Sequence, residues 1–218
     1  MSSPSEVLDA ADTRERLILT AERLFATRGI ESVSLREIAR ASGQRNVAAL
    51  QYHFGDREGL FSAILEYRMS RIEPRRKQLL RACDERGEGA SLRPLIRCLV
   101  LPFVEHIRNE SAGSHYIEFL ARLQVSYPDF IAENNSNRPW QANVLEISRR
   151  LRTLVGSAQQ EVVVLQRQRM MGACLIHSVA EFERGLRGGR YTMSELERFA
   201  DNLVDALCGL VAAPRGQP

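Results

Sequence analysis

Gln44, Arg45 and Asn46, with Gln51 five residues further on, bring together the side-chain types that read base edges in a DNA major groove. An arginine can bond guanine O6 and N7 together. Asparagine and glutamine can do the same with adenine N6 and N7, each pairing worth about 1–3 kcal/mol of discrimination. Groups suited to the sugar-phosphate backbone surround them. Ser34 and Arg36 stand where a helix begins, so free amides and the helix dipole favour an anion. Tyr52 and His53 close the next helix and Arg57 opens the one after, which places all three to fix orientation through phosphates. The expected base contacts are therefore Gln44, Arg45, Asn46 and Gln51, and the expected phosphate contacts Ser34, Arg36, Tyr52, His53 and Arg57.

The elements that must hold these residues are legible in the punctuation. In DTRERLILTAERLFATRG, apolar Leu17, Ile18, Ala21, Leu24 and Phe25 recur at helical spacing, with Asp12 as the expected cap and Gly29 as the stop. Ser34-Leu35-Arg36-Glu37 is a capping box, and Val33 and Ile38 flank it as a hydrophobic staple. A short helix then runs to about Ser42. Gly43 ends it, and Asn46 is placed to cap a third helix, VAALQYHF. Leu35, Ile38 and Ala39 face inward, while Val47 or Ala48 and Leu50 pack back from the third helix. Two short helices around a glycine turn make a helix-turn-helix. The same periodicity also occurs in helical hairpins that touch nothing. Local charge does not decide the matter, because Ser34 to Leu60 holds four arginines against Glu37, Asp56 and Glu58. Asp56 caps a fourth helix that continues past Pro74 with a kink. Its basic run Arg68, Arg71, Arg75, Arg76, Lys77 and Arg81 reads as a solvated face, an electrostatic flank to DNA at most.

The remainder of the 218 residues is helical by pattern, with long apolar faces over 91–109 (bent at Pro102), 114–126 (stopped by Pro128), 138–154, 158–185 and from Thr192 onward. Thr192 and Glu195 form a second capping box, and the stripe behind it is Leu196, Phe199, Ala200, Leu203, Leu207, Leu210 and Val211. The expected fold is all-α. A composition of 44% hydrophobic and 26% charged residues excludes a disordered chain. No run approaches the roughly 20 apolar residues of a membrane span, no signal sequence is readable, and the expected location is the cytoplasm. Cys83, Cys98, Cys174 and Cys208 are widely spaced among apolar neighbours and read as buried thiols, without the pairing of a metal site. Catalytic signatures are missing too. There is no G-x-S-x-G, phosphate loop or H-E-x-x-H, and His115 to Glu118 reverses the order a di-metal bundle needs. An enzyme, a metal and a cofactor are not expected.

The combination RLILTAERLFATRGIESVSLREIA, a glycine turn, and L-x-Y-H-F-G-x-R-x-x-L resembles the TetR family of bacterial transcriptional regulators over about Thr13 to Arg68. Arg57 stands where that family usually has lysine, and the turn from Gly43 to Tyr52 is one residue longer than the commonest spacing, which shifts the start of the recognition helix. The resemblance implies an N-terminal tail (1–12), a DNA-binding domain (13–68), a helical ligand-binding and dimerisation domain (69–212) and a C-terminal tail (213–218). It implies a repressor that binds a double-stranded, palindromic operator as a homodimer paired through its last two helices, and a small-molecule effector that releases it. The apolar faces of 158–185 and 192–211 agree with a dimer unless they are simply internal core. Phe103, Tyr116, Phe119, Leu120, Leu123, Trp140, Met171 and Leu175 are candidate walls for a largely apolar effector, and His106, His115, Arg122 and His177 candidate anchors. The alternative is a ligand- or protein-binding module of this fold without sequence-specific DNA binding.

Overall fold

Apolar residues at helical spacing bury one stripe of each element against the next, and the described residues contain no strand. The computed structural model describes residues 4–44, 46–110, 113–134, 138–156 and 161–214. Its helices are α1 (Pro4–Arg28), α2 (Leu35–Ala41), α3 (Ala48–Phe54), α4 (Arg57–Glu85), α5 (Leu92–Glu110), α6 (Tyr116–Ser126), α7 (Pro128–Asn134), α8 (Ala142–Val155), α9 (Glu161–Arg187) and α10 (Leu196–Ala212). Single 3-10 turns at Pro139–Gln141 and Met193–Glu195 lead into α8 and α10.

The first helix starts earlier than its expected cap. Pro4 opens α1, as a residue without an N–H suits a first turn, so the segment expected as a tail is helical from there. Asp12 lies inside and faces Arg16 one turn on at 3.8 Å. Leu17, Ile18, Ala21, Leu24 and Phe25 are buried as their spacing requires. Pro128 likewise has two roles, since α6 ends at Ser126 and the proline begins α7.

Helix α4 joins the two ends of the molecule. Asp56 caps it by accepting from the Gly59 N–H at 2.8 Å. Its 29 residues reach about 43 Å at 1.5 Å per residue, and Pro74 sits within the continuous helix. The hydrophobic core is one cluster from Leu17 to Val211. Phe25 meets Phe61 of α4 edge-on at 5.4 Å and stacks on Phe119 of α6 at 5.9 Å, so the N-terminal helices share aromatic packing with the larger bundle.

Several expectations fail on burial. The basic run on α4 is not one solvated face. Arg68 and Arg76 are buried, in register with Leu65, Met69, Ile72, Leu80 and Cys83 on the apolar stripe, whereas Arg71, Lys77 and Arg81 are exposed. Cys83 and Cys98 are buried, but Cys174 and Cys208 only half so. In α10, Leu196, Ala200, Leu203, Val204, Leu207 and Val211 are covered by the chain's own α5 and α9. That stripe is internal core. The exposed apolar residues lie on several helices, among them Val125 (70% exposed) on α6, Leu145 and Leu154 on α8, and Val162 (69%) and Met170 (58%) on α9.

Candidate nucleic-acid interface

Three caps fix the helix-turn-helix. The Ser34 Oγ accepts from the Glu37 N–H at 3.2 Å, while the Glu37 carboxylate accepts from the Ser34 N–H at 2.8 Å and from its hydroxyl at 2.9 Å. These bonds hold the Glu37 carboxyl below its ordinary range. Gly43, at φ +80, makes the left-handed turn that follows α2. Helix α3 starts one residue later than the expected Asn46 cap places it. Val47 occupies the cap position without a side-chain bond, and Asn46, one residue outside it, still accepts from the Ala48 N–H at 3.0 Å.

Behind α3, Leu50 is buried and Val47, Ala49 and Phe54 pack on the core, so Ala49 takes the inward place expected for Ala48, which is exposed. In front, Gln51 and Asn46 are exposed, Tyr52 is 84% exposed, and Gln44 is half-buried. Arg45 lies outside the described residues. Gln44 and Asn46 line one concave surface with Arg36 and Arg40 of α2. Arg40, exposed in the last turn of α2, was missed by the sequence reading. Its spacing four residues after Arg36 could have shown it on the same face.

The expected phosphate set is only partly free to act. Arg36 is exposed. His53 is half-buried, and burial together with the nearby Arg14 lowers its pKa. Ser34 is committed to the capping box, and the carboxylate that occupies its donors would repel a phosphate. Arg57 turns inward. Its Nη1 donates to the Ile30 carbonyl and its Nη2 to the Val33 carbonyl, both at 2.7 Å, with the guanidinium 5.8 Å from the centre of the Phe25 ring. It clamps the α1–α2 link to α4.

A cavity of about 210 Å³ opens among α4, α5, α6, α8 and α9. Six expected wall residues reach it: Phe103, Tyr116, Leu120, Trp140, Met171 and Leu175. Phe119 and Leu123 are instead closed core, Phe119 between Phe25 and Phe61. The expected anchors do not line it. His106 is buried with its Nε2 on Ser114 Oγ at 2.9 Å, and burial pushes its pKa down to about 4. The His115 N–H donates to Glu22 at 3.2 Å. Arg122 and His177 line a separate groove beside Gly29, Ile30 and Arg184. The polar groups that do line the cavity are Arg76, Gln124, Gln141, Ser148 and Gln168. Arg76 was hidden within a run of basic residues, although it sits four residues from both Ile72 and Leu80 on the apolar stripe.

Among the described residues, no cluster of histidine, cysteine and carboxylates could hold a metal ion, and no helix is long and apolar enough to cross a membrane. Residues 17–64, which include the helix-turn-helix, match the model of the bacterial regulatory proteins of the tetR family. The chain is 42% identical over 64 residues to the HTH-type transcriptional regulator AcrR of Shigella flexneri, a match covering 29% of each chain. It is 39% identical over 57 residues to the HTH-type transcriptional repressor BepR of Brucella suis biovar 1 (strain 1330), covering 26% of this chain and 27% of that one. The match thus spans less than a third of either relative. The whole fold resembles a TetR family transcription regulator from Marinobacter aquaeolei VT8, with TM-score 0.58 and 17% identity over 93% of this chain and 97% of that one. It also resembles NalD, the secondary repressor of the MexAB-OprM multidrug efflux pump in Pseudomonas aeruginosa, with TM-score 0.50 and 20% identity over 90% and 96% of the two chains. The chain is thus similar to TetR-family transcriptional regulators in sequence over the helix-turn-helix, and in fold over nearly its whole length.

Proposed function

We propose that this chain is a transcriptional repressor that binds a palindromic operator as a homodimer and leaves it when a small molecule enters the α4–α9 cavity. The observation that carries the reading is α3 itself. Leu50 and Phe54 anchor it from behind, while Gln51 and Tyr52 stand in solvent at the height of the turn. Gln44, Arg45, Asn46 and Gln51 are the base readers of this proposal, and Arg36, Arg40, Tyr52 and His53 the phosphate contacts. Residues 13–68 bind DNA and 69–212 hold the effector and the dimer contact. Repression follows the name of BepR, the relative of the matched segment.

The exposed Val162 and Met170 on α9 favour a second subunit covering that helix. A two-fold pair would set its recognition helices about 34 Å apart, one turn of DNA. The cavity supports control by an effector because its lining includes Met69 and Arg76 of α4, the helix that also packs against α3. A ligand acts by favouring one arrangement of that helix over another.

The test is binding of the full chain to the intergenic DNA beside its own gene, followed by anisotropy. Gln51→Ala is expected to lose about 10- to 100-fold in preference for that site over random duplex, equivalent to about 1–3 kcal/mol. Unchanged preference removes the base-reading role and leaves a ligand-binding module of the same fold.

A further inference from the structure

The cavity is apolar in most of its walls yet holds polar atoms that nothing in the protein satisfies. Arg76 is 1% exposed. Its Nη1 is paired with Glu73, but its Nε–H has no partner. The Tyr116 hydroxyl, fully buried, has none either, and burial raises its pKa, keeping it protonated. The Gln124 Oε1 is the third such atom. All three residues line the same space. A buried polar group without a partner is destabilising, and three in one chamber are a pattern of two donors and one acceptor awaiting a complement.

Charge narrows the occupant. Arg76 is the one ionised side chain lining the cavity among the described residues, and its charge is already balanced. Glu73 pairs with it and is itself held by the Asn143 N–H at 3.2 Å and side-chain amide at 2.8 Å. A carboxylate entering beside this neutral pair would add an uncompensated buried charge. A cation would face the guanidinium. Volume narrows it further, since a dry chamber of about 150 Å³ admits benzene and this one has about 210 Å³.

We infer that the cavity is a binding site for an uncharged, single-ring-sized organic molecule that offers an acceptor oxygen to Arg76 Nε–H and Tyr116 O–H, and an N–H or O–H to Gln124. This assigns a ligand class to the effector site proposed above and rests on that reading only for its consequence at DNA. Trp140, the sole tryptophan, lines the chamber, so its fluorescence reports occupancy without DNA.

The experiment titrates the full-length protein with benzamide, benzoate, benzylamine and ethylbenzene. Benzamide is expected to bind most tightly. Tyr116→Phe, which keeps the ring, is expected to weaken benzamide about five- to tenfold, the loss of one hydrogen bond, and to leave ethylbenzene unchanged. Gln124→Leu is expected to act in the same direction. Tighter binding of benzoate or benzylamine, equal binding of ethylbenzene with no response to Tyr116→Phe, or no binding of any probe would each overturn the assignment. Operator anisotropy is read separately in the same samples. Benzamide that binds without releasing DNA leaves the ligand class standing and refutes the effector role.

Discussion

The exposed face of α3 and the α4–α9 cavity hold their polar groups in opposite ways. On α3, Gln51 and Tyr52 stand in water, and the apolar residues behind them carry the cost of placement. In the cavity, Arg76 and Tyr116 stand inside apolar walls and each is fixed by a different helix. A solvated group can lose its function with little change in stability. A buried one is tied to the fold, so function and stability change together. Arginine shows the contrast most clearly, because Arg36 and Arg40 are exposed while Arg57, Arg68 and Arg76 bind other parts of the chain.

The largest effect is expected where an inward arginine joins the two regions. Arg68 of α4 donates through Nε and Nη2 to both oxygens of the buried Glu22 of α1, at 2.6 and 2.8 Å, and through Nη1 to Glu110 of α5 at 3.1 Å. Arg68→Ala leaves Glu22 buried without its counter-charge, holding, among the described residues, only the His115 N–H, at a cost of about 3–5 kcal/mol. Urea unfolding measures it. The double variant Arg68→Met, Glu22→Leu is expected to recover most of the loss, since no charge is then stranded. A double variant as unstable as the single would show that packing rather than charge is responsible.

The next effect appears in pH dependence, where two buried groups oppose each other. Burial raises the Glu183 carboxyl to about 7, against the pull of Arg187 at 3.5 Å and the Glu118 N–H at 3.3 Å. Its contribution is present below the ordinary 4.5 and is lost as pH rises through 7. His106, pushed down to about 4 by burial with the nearby Arg68 adding to the shift, contributes above the ordinary 6.5 and loses it as pH falls through 4. Between these limits the two slopes cancel. Glu183→Gln is expected to make stability rise with pH relative to wild type, and His106→Asn to make it fall, each by up to about 3 kcal/mol across the window. Thermal unfolding between pH 4.5 and 7 decides it, and parallel profiles for all three proteins would contradict both assignments.

The N-terminal helices were readable because their signals are local. Ser34 to Glu37, Gly43 and Asp56 each act within a turn or two of chain, and the caps stand where those residues are. The inward direction of Arg57 was not legible, because its acceptors, Ile30 and Val33, are carbonyls that no side-chain type announces. The cavity was half readable. Aromatic and branched residues identify a wall, but the rotation of α6 about its axis decides that Tyr116 faces the chamber and Phe119 the core, and that rotation is set by packing against α1 and α9. The true polar lining escaped for the same reason, since a histidine draws attention by type while Gln124 and Gln168 do not.

Arg57 and Arg36 test whether direction decides an arginine's role. Arg57→Ala is expected to cost about 1–3 kcal/mol of stability through the two lost carbonyl bonds, and, where the protein remains folded, to leave the salt dependence of DNA binding unchanged. Arg36→Ala is expected to leave unfolding within about 0.5 kcal/mol of wild type and to make the salt slope shallower by about one ion. The reverse result would return Arg57 to the phosphate backbone.

Ser34→Ala is the smallest and sharpest of these tests. As a cap, Ser34 satisfies a free amide of α2, and its loss is expected to cost about 0.5–2 kcal/mol. Seven residues of helix have few other bonds with which to resist fraying, so weaker DNA binding should follow from a looser α2. The ionic slope should stay as in wild type, because the residue removed held no phosphate. A phosphate-binding Ser34 gives the opposite pair of outcomes: unfolding unchanged and a shallower slope. Thr192→Ala is the internal control, since it removes the same motif ahead of α10, whose stripe is covered by α5 and α9, and it should lower stability without altering affinity for DNA.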